Sequence, residues 1–269
     1  MRQLKALGTD VTISGAGEAR AAERLMELAV LLTRFAPSAL TALNTAGHLE
    51  HPPADLVQAL THALRVARET GGLVTPAVLP ALEAAGYAAC PGQRRGAATA
   101  VPTVDGVECS AERIALPGGV RLDLGGTAKS WIALELLACL EGDAYVDAGG
   151  DVALRQIRAC SVGIEHPFGG PSRYLNLPAG EWGVATSSRL KRAWADGHHL
   201  IDPRTARPLS SRFVQTTAVT GRVTDAEVLT KLAFLDAQTL DTLLGSAQVY
   251  AYDGAGQLWQ RHHGAWRGV

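Results

Sequence analysis

The sequence predicts an α+β fold in which helices pack on an antiparallel sheet. Two observations lead to this prediction. Apolar residues recur at helical spacing in segments 18–35 and 54–70, and short alternating segments follow one another after residue 140. The chain has 269 residues, and no Pro/Ser-rich linker or long charge run divides it. We therefore expect one domain over residues 1–269, long enough to bury a sizeable core.

The charge balance limits the class of partner. With 25 Lys and Arg against 26 Asp and Glu, the net charge is -1, which argues against a nucleic-acid footprint. No apolar run approaches the length of a membrane span, and the first residues lack the apolar core of a signal peptide. We expect a small molecule or a protein as partner, and a cytoplasmic location unless a leader was removed.

The first half of the chain predicts strands and two amphipathic helices. Residues 3–14 predict a strand interrupted by Gly8, where the backbone can approach a ligand closely. Helices are expected over Glu18–Phe35 and from about Ala54 to Thr70, the second ended by a glycine pair. Residues 101–116 predict a hairpin, followed by a strand at Val120–Leu122.

A glycine turn follows Asp123. The pair Gly125-Gly126 precedes a helix expected from about Thr127 to Glu141, and a strand, glycine turn and helix start present N–H groups to an anion. Lys129 in the first turn opposes the helix dipole, so a nearby anion would explain it. The alternative is a tight strand-to-helix connection.

The second half predicts a meander and one more helix. Strands are expected at 144–146, 160–165, 173–177, 182–186 and 214–219, a positive-φ glycine turn at 147–151, a helix at Asp225–Leu235 and a closing hairpin over 247–259. Thr224 to Glu227 also reads as a capping box. The four cysteines form no CxxC pair; Cys139 and Cys160 are expected to be buried apolar residues and not metal ligands or disulfides.

The richest chemistry lies in residues 183–208. A predicted hydroxyl-rich turn at Thr186, Ser187 and Ser188 and a following cationic run suit a phosphate. A carboxylate three residues from a histidine can fix its tautomer, so His199 is a candidate base oriented by Asp202. The alternative is that this segment forms ordinary surface turns, because hydroxyl-rich and Asp-Pro turns are common at protein surfaces.

Five stretches in order carry a resemblance to ApbE-type FAD:protein FMN transferases. They are Ala6-Leu7-Gly8-Thr9, Asp123–Lys129, Asp147–Asp151, the segment ATSSRLKRAW…DGHHLIDPRTARP and Ala226–Lys231. The resemblance implies an ApbE-like fold with a T-fold-like core. It implies transfer of FMN from FAD to a Thr or Ser hydroxyl of an acceptor flavoprotein, with release of AMP and with Mg²⁺ as cofactor.

The resemblance also implies the site residues. FAD is expected between Asp123–Lys129 and Thr186–His199; the implied flavin-binding residues are Leu7, Thr75, Asp123, Lys129, Thr186, Ser187, His199 and Ile201. The implied magnesium ligands are the Gly126 carbonyl, Thr230 and an acid from Asp225 or Glu227, in a weak site that fills only with FAD present.

Two positions depart from the family pattern. Thr75 stands where the family commonly has aspartate, and Ala226 aligns with a metal-binding acid. These departures leave two alternatives open: an FAD-binding protein without transfer activity, or a magnesium-dependent pyrophosphatase that cleaves FAD to FMN and AMP.

Overall fold

The computed structural model describes residues 1–87, 96–195, 197–262 and 264–269. Within them the α-helices are α1 (Glu18–Leu32), α2 (Ala39–Ala46), α3 (Ala54–Glu69), α4 (Leu79–Ala85), α5 (Ala128–Ala138), α6 (Val223–Leu235) and α7 (Ala237–Leu243). The strands are β1 (Arg2–Ala6), β2 (Thr9–Ala16), β3 (His48–Glu50), β4 (Glu108–Cys109), β5 (Arg113–Ala115), β6 (Glu141–Ala148), β7 (Asp151–Gln156), β8 (Cys160–Ile164), β9 (Arg173–Leu177), β10 (Gly180–Ser188), β11 (Ala193–Trp194), β12 (Gly197–His198), β13 (Ile201–Asp202), β14 (Arg207–Pro208), β15 (Phe213–Thr220), β16 (Gln248–Asp253), β17 (Leu258–His262) and β18 (Ala265–Gly268).

The chain divides into two compact units that interleave along the sequence. Residues 1–26, 129–190 and 211–269 form the first, called here the sheet unit, and residues 27–128 and 191–210 form the second, the helical unit. The boundary after Met26 falls inside α1. The expectation of a single domain over 1–269 stays a prediction.

The sheet unit is built on a mainly consecutive antiparallel sheet. Among the described residues its nine strands run in the order β1-β2-β6-β7-β10-β15-β16-β17-β18. Helix α6 packs on β10 and β15. Val184, Val219 and Tyr250 belong to the apolar core of this unit, which also takes in Ile164 and Leu175 from the β8–β9 pair. The predicted α+β class with an antiparallel sheet is confirmed.

Two places in this sheet require glycine. The turn between β6 and β7 has left-handed backbone at Gly149 (φ 72°) and Gly150 (φ 97°), as the sequence predicted. At Gly183 in β10, an added Cβ would lie 2.0 Å from the backbone nitrogen of Val223. The missing side chain therefore lets the start of α6 lie directly against the strand.

The helical unit holds α2, α3, α4 and three small sheets. The sheets are β3-β5-β4, β11-β12 and β13-β14. Helix α3 ends at Glu69 and is followed by Gly71 and Gly72, both with positive φ. The Gly72 N–H donates to the Ala67 carbonyl at 2.7 Å, so the glycine pair ends the helix as predicted. The β13-β14 hairpin packs on α4 through Ile201 and Ala206.

Several predicted elements differ from the structure. Val120–Leu122 is not a strand; its partner is the Asn44 side chain, which donates to the Leu122 carbonyl and accepts from its N–H. Thr186 to Ser188 form the end of β10 and not a turn. Helix α1 stops at Leu32, which leaves Phe35 exposed beyond it. The hairpin predicted over residues 101–116 is reduced to β4 and β5.

The described cysteines Cys109, Cys139 and Cys160 are free and half-buried, while Cys90 lies outside the described residues. None of the helices in the described ranges has the length and apolarity needed to cross a bilayer.

Candidate functional site

A buried cluster of acids and lysines lies in the sheet unit. Lys129, in the first turn of α5, contacts the carboxylate of Asp151 at the start of β7. The same ammonium lies 3.7 Å from Oε1 of Glu227 on α6. The two carboxylates are 2% and 3% exposed, whereas the Lys129 side chain is 17% exposed. Three distant segments of the chain therefore meet around one ammonium group.

Both carboxylate oxygens of Glu227 have polar partners. Lys231, one turn later on α6, places its ammonium 3.1 Å from Oε1, and the Ser130 hydroxyl donates to Oε2. Burial raises the pKa of Glu227, but Lys231 and Lys129 attract its charged form more strongly, so the pKa lies below its ordinary value. Glu227 is therefore a carboxylate at neutral pH.

Asp151 behaves differently because its burial dominates. Desolvation raises the pKa of Asp151 from 3.8 to about 6, against the attraction of Lys129 and with a further contribution from the negative charge of Glu227. The two buried acids therefore have pKa values displaced in opposite directions.

The raised pKa predicts a pH-dependent contribution to stability. Between pH 3.8 and about 6 the folded protein keeps a proton on Asp151 that the unfolded chain has released. The stability from this proton is fully present below pH 3.8 and is lost as the pH rises through about 6. The free energy of unfolding of the wild type, minus that of Asp151→Asn, should therefore fall over this interval and level off above it. Urea denaturation at pH steps measures this difference, and a constant difference would contradict the assignment.

Hydroxyl groups line the sheet next to this cluster. Ser187 Oγ lies 2.9 Å from Thr230 Oγ1, which also donates to the Glu227 carbonyl at 2.8 Å. Thr186 Oγ1 lies 2.9 Å from Thr217 Oγ1 on β15. Four of the residues selected from the sequence therefore lie in the sheet unit: Lys129, Thr186, Ser187 and Thr230.

The structure separates the two acids offered for the metal. Glu227 is buried, whereas Asp225 is exposed. The predicted capping box is wrong: α6 begins at Val223 after Arg222 without a side-chain cap, and the Glu227 carboxylate contacts Ser130 and lysines instead.

The donor set in the sheet unit does not fit magnesium, which prefers near-octahedral oxygen ligation. The oxygens of Glu227 already contact two ammonium groups and a hydroxyl. The hydroxyl of Thr230 is engaged with Ser187 and the Glu227 carbonyl. Across the described part of the chain, no group of three or more His, Cys, Asp or Glu side chains is arranged to hold a metal. The predicted magnesium site stays a prediction; its Gly126 lies in the helical unit, in the turn before α5.

A second polar group lies in the helical unit around Asp123. The Arg34 guanidinium pairs with Oδ2 of Asp123, while the Gly125 N–H donates to Oδ1 at 2.7 Å. Arg34 also donates to the Tyr87 carbonyl at 2.8 Å. Asp123, selected from the sequence for flavin binding, is thus buried and ion-paired.

Aromatic rings surround this arginine and reach His199. The guanidinium carbon of Arg34 lies 4.2 Å from the Phe35 ring centroid and 4.9 Å from that of Tyr87. Tyr87 stacks on Trp194 at 5.8 Å with an interplanar angle of 6°, and its centroid is 6.0 Å from that of His199. The half-buried His199 therefore lies beside the Tyr87 ring, which also contacts the Arg34 guanidinium.

Asp202 has other partners than the sequence predicted. Its carboxylate accepts from the Arg204 guanidinium at 2.9 and 2.8 Å and from the Arg204 N–H at 3.0 Å. The hydrogen bonds from Arg204 hold the pKa of Asp202 below its usual range despite partial burial. The orienting role toward His199 stays a prediction.

The remaining selected residues have local structural roles. Leu7 takes left-handed backbone (φ 56°) in the β1–β2 turn, and Thr75 Oγ1 accepts from the Ala77 N–H at 3.3 Å at the start of a 3-10 turn. Ile201 packs on α4 in a small apolar cluster.

Sequence reasoning missed Arg34, Ser130 and Lys231. The available signal was a charged residue in an apolar stretch: Lys231 interrupts the mainly buried run of α6, and Arg34 follows the apolar end of α1. Such a residue usually has a buried partner or a function.

The sequence is similar to that of a known protein family. The model of the ApbE family matches residues 7–262. A curated relative, the FAD:protein FMN transferase of Klebsiella pneumoniae, is 29% identical over 125 residues, which cover 43% of this chain and 39% of that protein. The match therefore spans well under half the length of that relative.

Two solved structures share the fold. The ApbE protein of Thermotoga maritima superposes with a TM-score of 0.83 at 22% identity, covering 97% of this chain and 96% of that one. The flavin transferase ApbE of Vibrio cholerae gives a TM-score of 0.74 at 17% identity, with 100% and 95% covered. At these identities the structures establish the predicted architecture.

Proposed function

The chain belongs to the ApbE family, and from this membership we propose that it transfers FMN from FAD to a Thr or Ser hydroxyl of an acceptor flavoprotein and releases AMP. The observation that carries the proposal is the family match over residues 7–262, within which the His199 segment and the Lys129 cluster both fall. FAD is the substrate and a flavoprotein subunit or domain is the partner.

The chemistry is an in-line displacement at phosphorus. The acceptor oxygen forms a bond to the FMN-side phosphorus of the pyrophosphate, and the bond from that phosphorus to the bridging oxygen breaks, so that AMP leaves with the electron pair. His199 takes the proton of the acceptor hydroxyl. Lys129 offsets negative charge on the phosphate oxygens.

Several contacts support these roles. His199 is half-buried, and its ring lies beside that of Tyr87. The Lys129 ammonium is fixed by Asp151 and Glu227, so that it acts as a preorganised cation.

Mass spectrometry of candidate acceptor flavoproteins incubated with the chain, FAD and magnesium tests the proposal. We expect an acceptor whose mass has increased by one FMN group, with AMP formed in equal amount. AMP without a modified acceptor would identify the pyrophosphatase, and bound FAD without AMP would identify the non-transferring binder. An acceptor with its acceptor Thr changed to Ala is the matched control.

A further inference from the structure

We infer that Lys231 supplies, as an ammonium fixed by Glu227, the positive charge that the family resemblance assigns to magnesium, so that the sheet unit holds a pyrophosphate without a divalent cation. The identity of the ligand as FAD rests on the proposed function. The cation arrangement rests on the geometry alone.

The first argument is that both oxygens of Glu227 already have partners. Its Oε1 lies 3.1 Å from the Lys231 ammonium and 3.7 Å from that of Lys129, and its Oε2 accepts from Ser130. Magnesium binds oxygen at about 2.0–2.1 Å and takes a strict octahedral shell. It could reach Oε1 only by displacing an ammonium group.

The second argument is electrostatic. Two carboxylates, Asp151 and Glu227, face two ammonium groups, Lys129 and Lys231, so the cluster is close to neutral when all four are charged. An incoming dication would meet two cations within 4 Å of the only buried carboxylate on α6 in the described part of the chain. At such distances the repulsion is strong in a partly buried site.

The third argument is that Lys231 is positioned as a fixed donor. Glu227 and Lys231 are four residues apart on α6, which is the favourable spacing and order for an ion pair on a helix. The Lys231 ammonium also approaches the Glu227 carbonyl at 3.3 Å. Its side chain is 14% exposed, so it is held in place without being fully buried.

The surroundings fit the oxygens of a phosphate. Lys129 is likewise held and 17% exposed, and it lies in the first turn of α5, where N–H groups favour an anion. The half-buried Ser187 hydroxyl lies next to Thr230, which precedes Lys231 on α6. Two fixed ammonium groups, one of them in the first turn of α5, form a donor set for a pyrophosphate.

Inorganic pyrophosphate and manganese are the probes for the experiment, because neither depends on flavin. The full chain is freed of metal with chelating resin. Calorimetry then follows pyrophosphate binding, and electron paramagnetic resonance follows binding of Mn²⁺, which takes the same oxygen ligands as magnesium. We expect the wild type to bind pyrophosphate with equal affinity in EDTA and in magnesium, and to bind Mn²⁺ only weakly. Lys5→Met, which removes a lysine outside the cluster, should bind pyrophosphate as the wild type does. Lys5 is an exposed lysine on β1 of the same unit.

The variants separate charge from fold. Lys231→Met should weaken pyrophosphate binding by about tenfold or more, the scale of one charged hydrogen bond. Lys231→Arg keeps the positive charge, so its affinity for pyrophosphate should stay within about threefold of the wild type, although a guanidinium differs in shape from an ammonium. Circular dichroism confirms that each variant is folded.

The inference is overturned if pyrophosphate binds at least tenfold more tightly with magnesium than with EDTA, if Mn²⁺ binds the wild type tightly, or if Lys231→Met binds pyrophosphate as the wild type does. A parallel FAD titration tests the proposed function separately. Pyrophosphate binding without FAD binding would refute the flavin assignment and leave the lysine site standing.

Discussion

Replacing His199 with alanine is expected to lower the rate of FMN transfer by about 10²–10⁴-fold, the usual contribution of a positioned general base. A base acts in the transition state, so FAD binding should change little. The loss should therefore appear in kcat, while the dissociation constant for FAD, measured by flavin fluorescence, should stay within about threefold of the wild type.

His198→Ala is the matched control for this prediction. The His198 ring contacts the Leu209 carbonyl at 3.2 Å and accepts from the Leu200 N–H at 3.2 Å, contacts that hold the local backbone. Removing it should cost some stability and retain most of the transfer rate. If His198→Ala were inactive and His199→Ala active, the base would have been assigned to the wrong histidine.

Replacing Glu227 with glutamine is expected to lower the free energy of unfolding by about 3–5 kcal/mol, because removing one partner of a buried ion pair leaves the other charge uncompensated. The Glu227 side chain is 3% exposed and faces Lys129 and Lys231. Urea denaturation at neutral pH measures the change. The exposed Glu181 on β10, changed to Gln, is the control and should shift the free energy by about 0.5 kcal/mol or less.

A double-mutant cycle shows whether this loss comes from the ion pair. Lys231→Met removes the unpaired cation, so the double variant Glu227→Gln/Lys231→Met should be less destabilised than the sum of the two single variants. Additive single effects would mean that Glu227 stabilises the fold by packing and not through its charge.

The sequence predicts well those elements whose signal is local. The apolar periodicity of α3 and its glycine end were both found as expected, as was the turn at Gly149 and Gly150. The strand predicted at Val120–Leu122 is wrong because alternation of apolar and polar residues indicates an extended, buried backbone but does not identify its hydrogen-bond partner. The partner is the amide of Asn44, 78 residues away, which makes the two hydrogen bonds that a neighbouring strand would make.

The candidate site is predicted less completely for the same reason. Glu227 fits a capping box by local spacing, yet its hydrogen-bond partner Ser130 is 97 residues away. The motifs select Lys129 and Asp123, but the charges that hold them, Asp151 and Arg34, depend on the folded topology. The part of the site that local patterns leave out is therefore the set of ion partners.

The interleaving of the two units has a consequence for synthesis on the ribosome. Strand β2 pairs with β6, so the pairing of Ala16 with Glu141 can form only after well over one hundred further residues have been synthesised. At about 5–20 residues per second this delay is roughly 6–25 seconds. During that time the β1–β2 hairpin presents an unpaired edge with the side chains of Val11 and Ile13, which are fully buried in the finished protein. Until β6 has been made, this apolar edge is open to pairing with other chains.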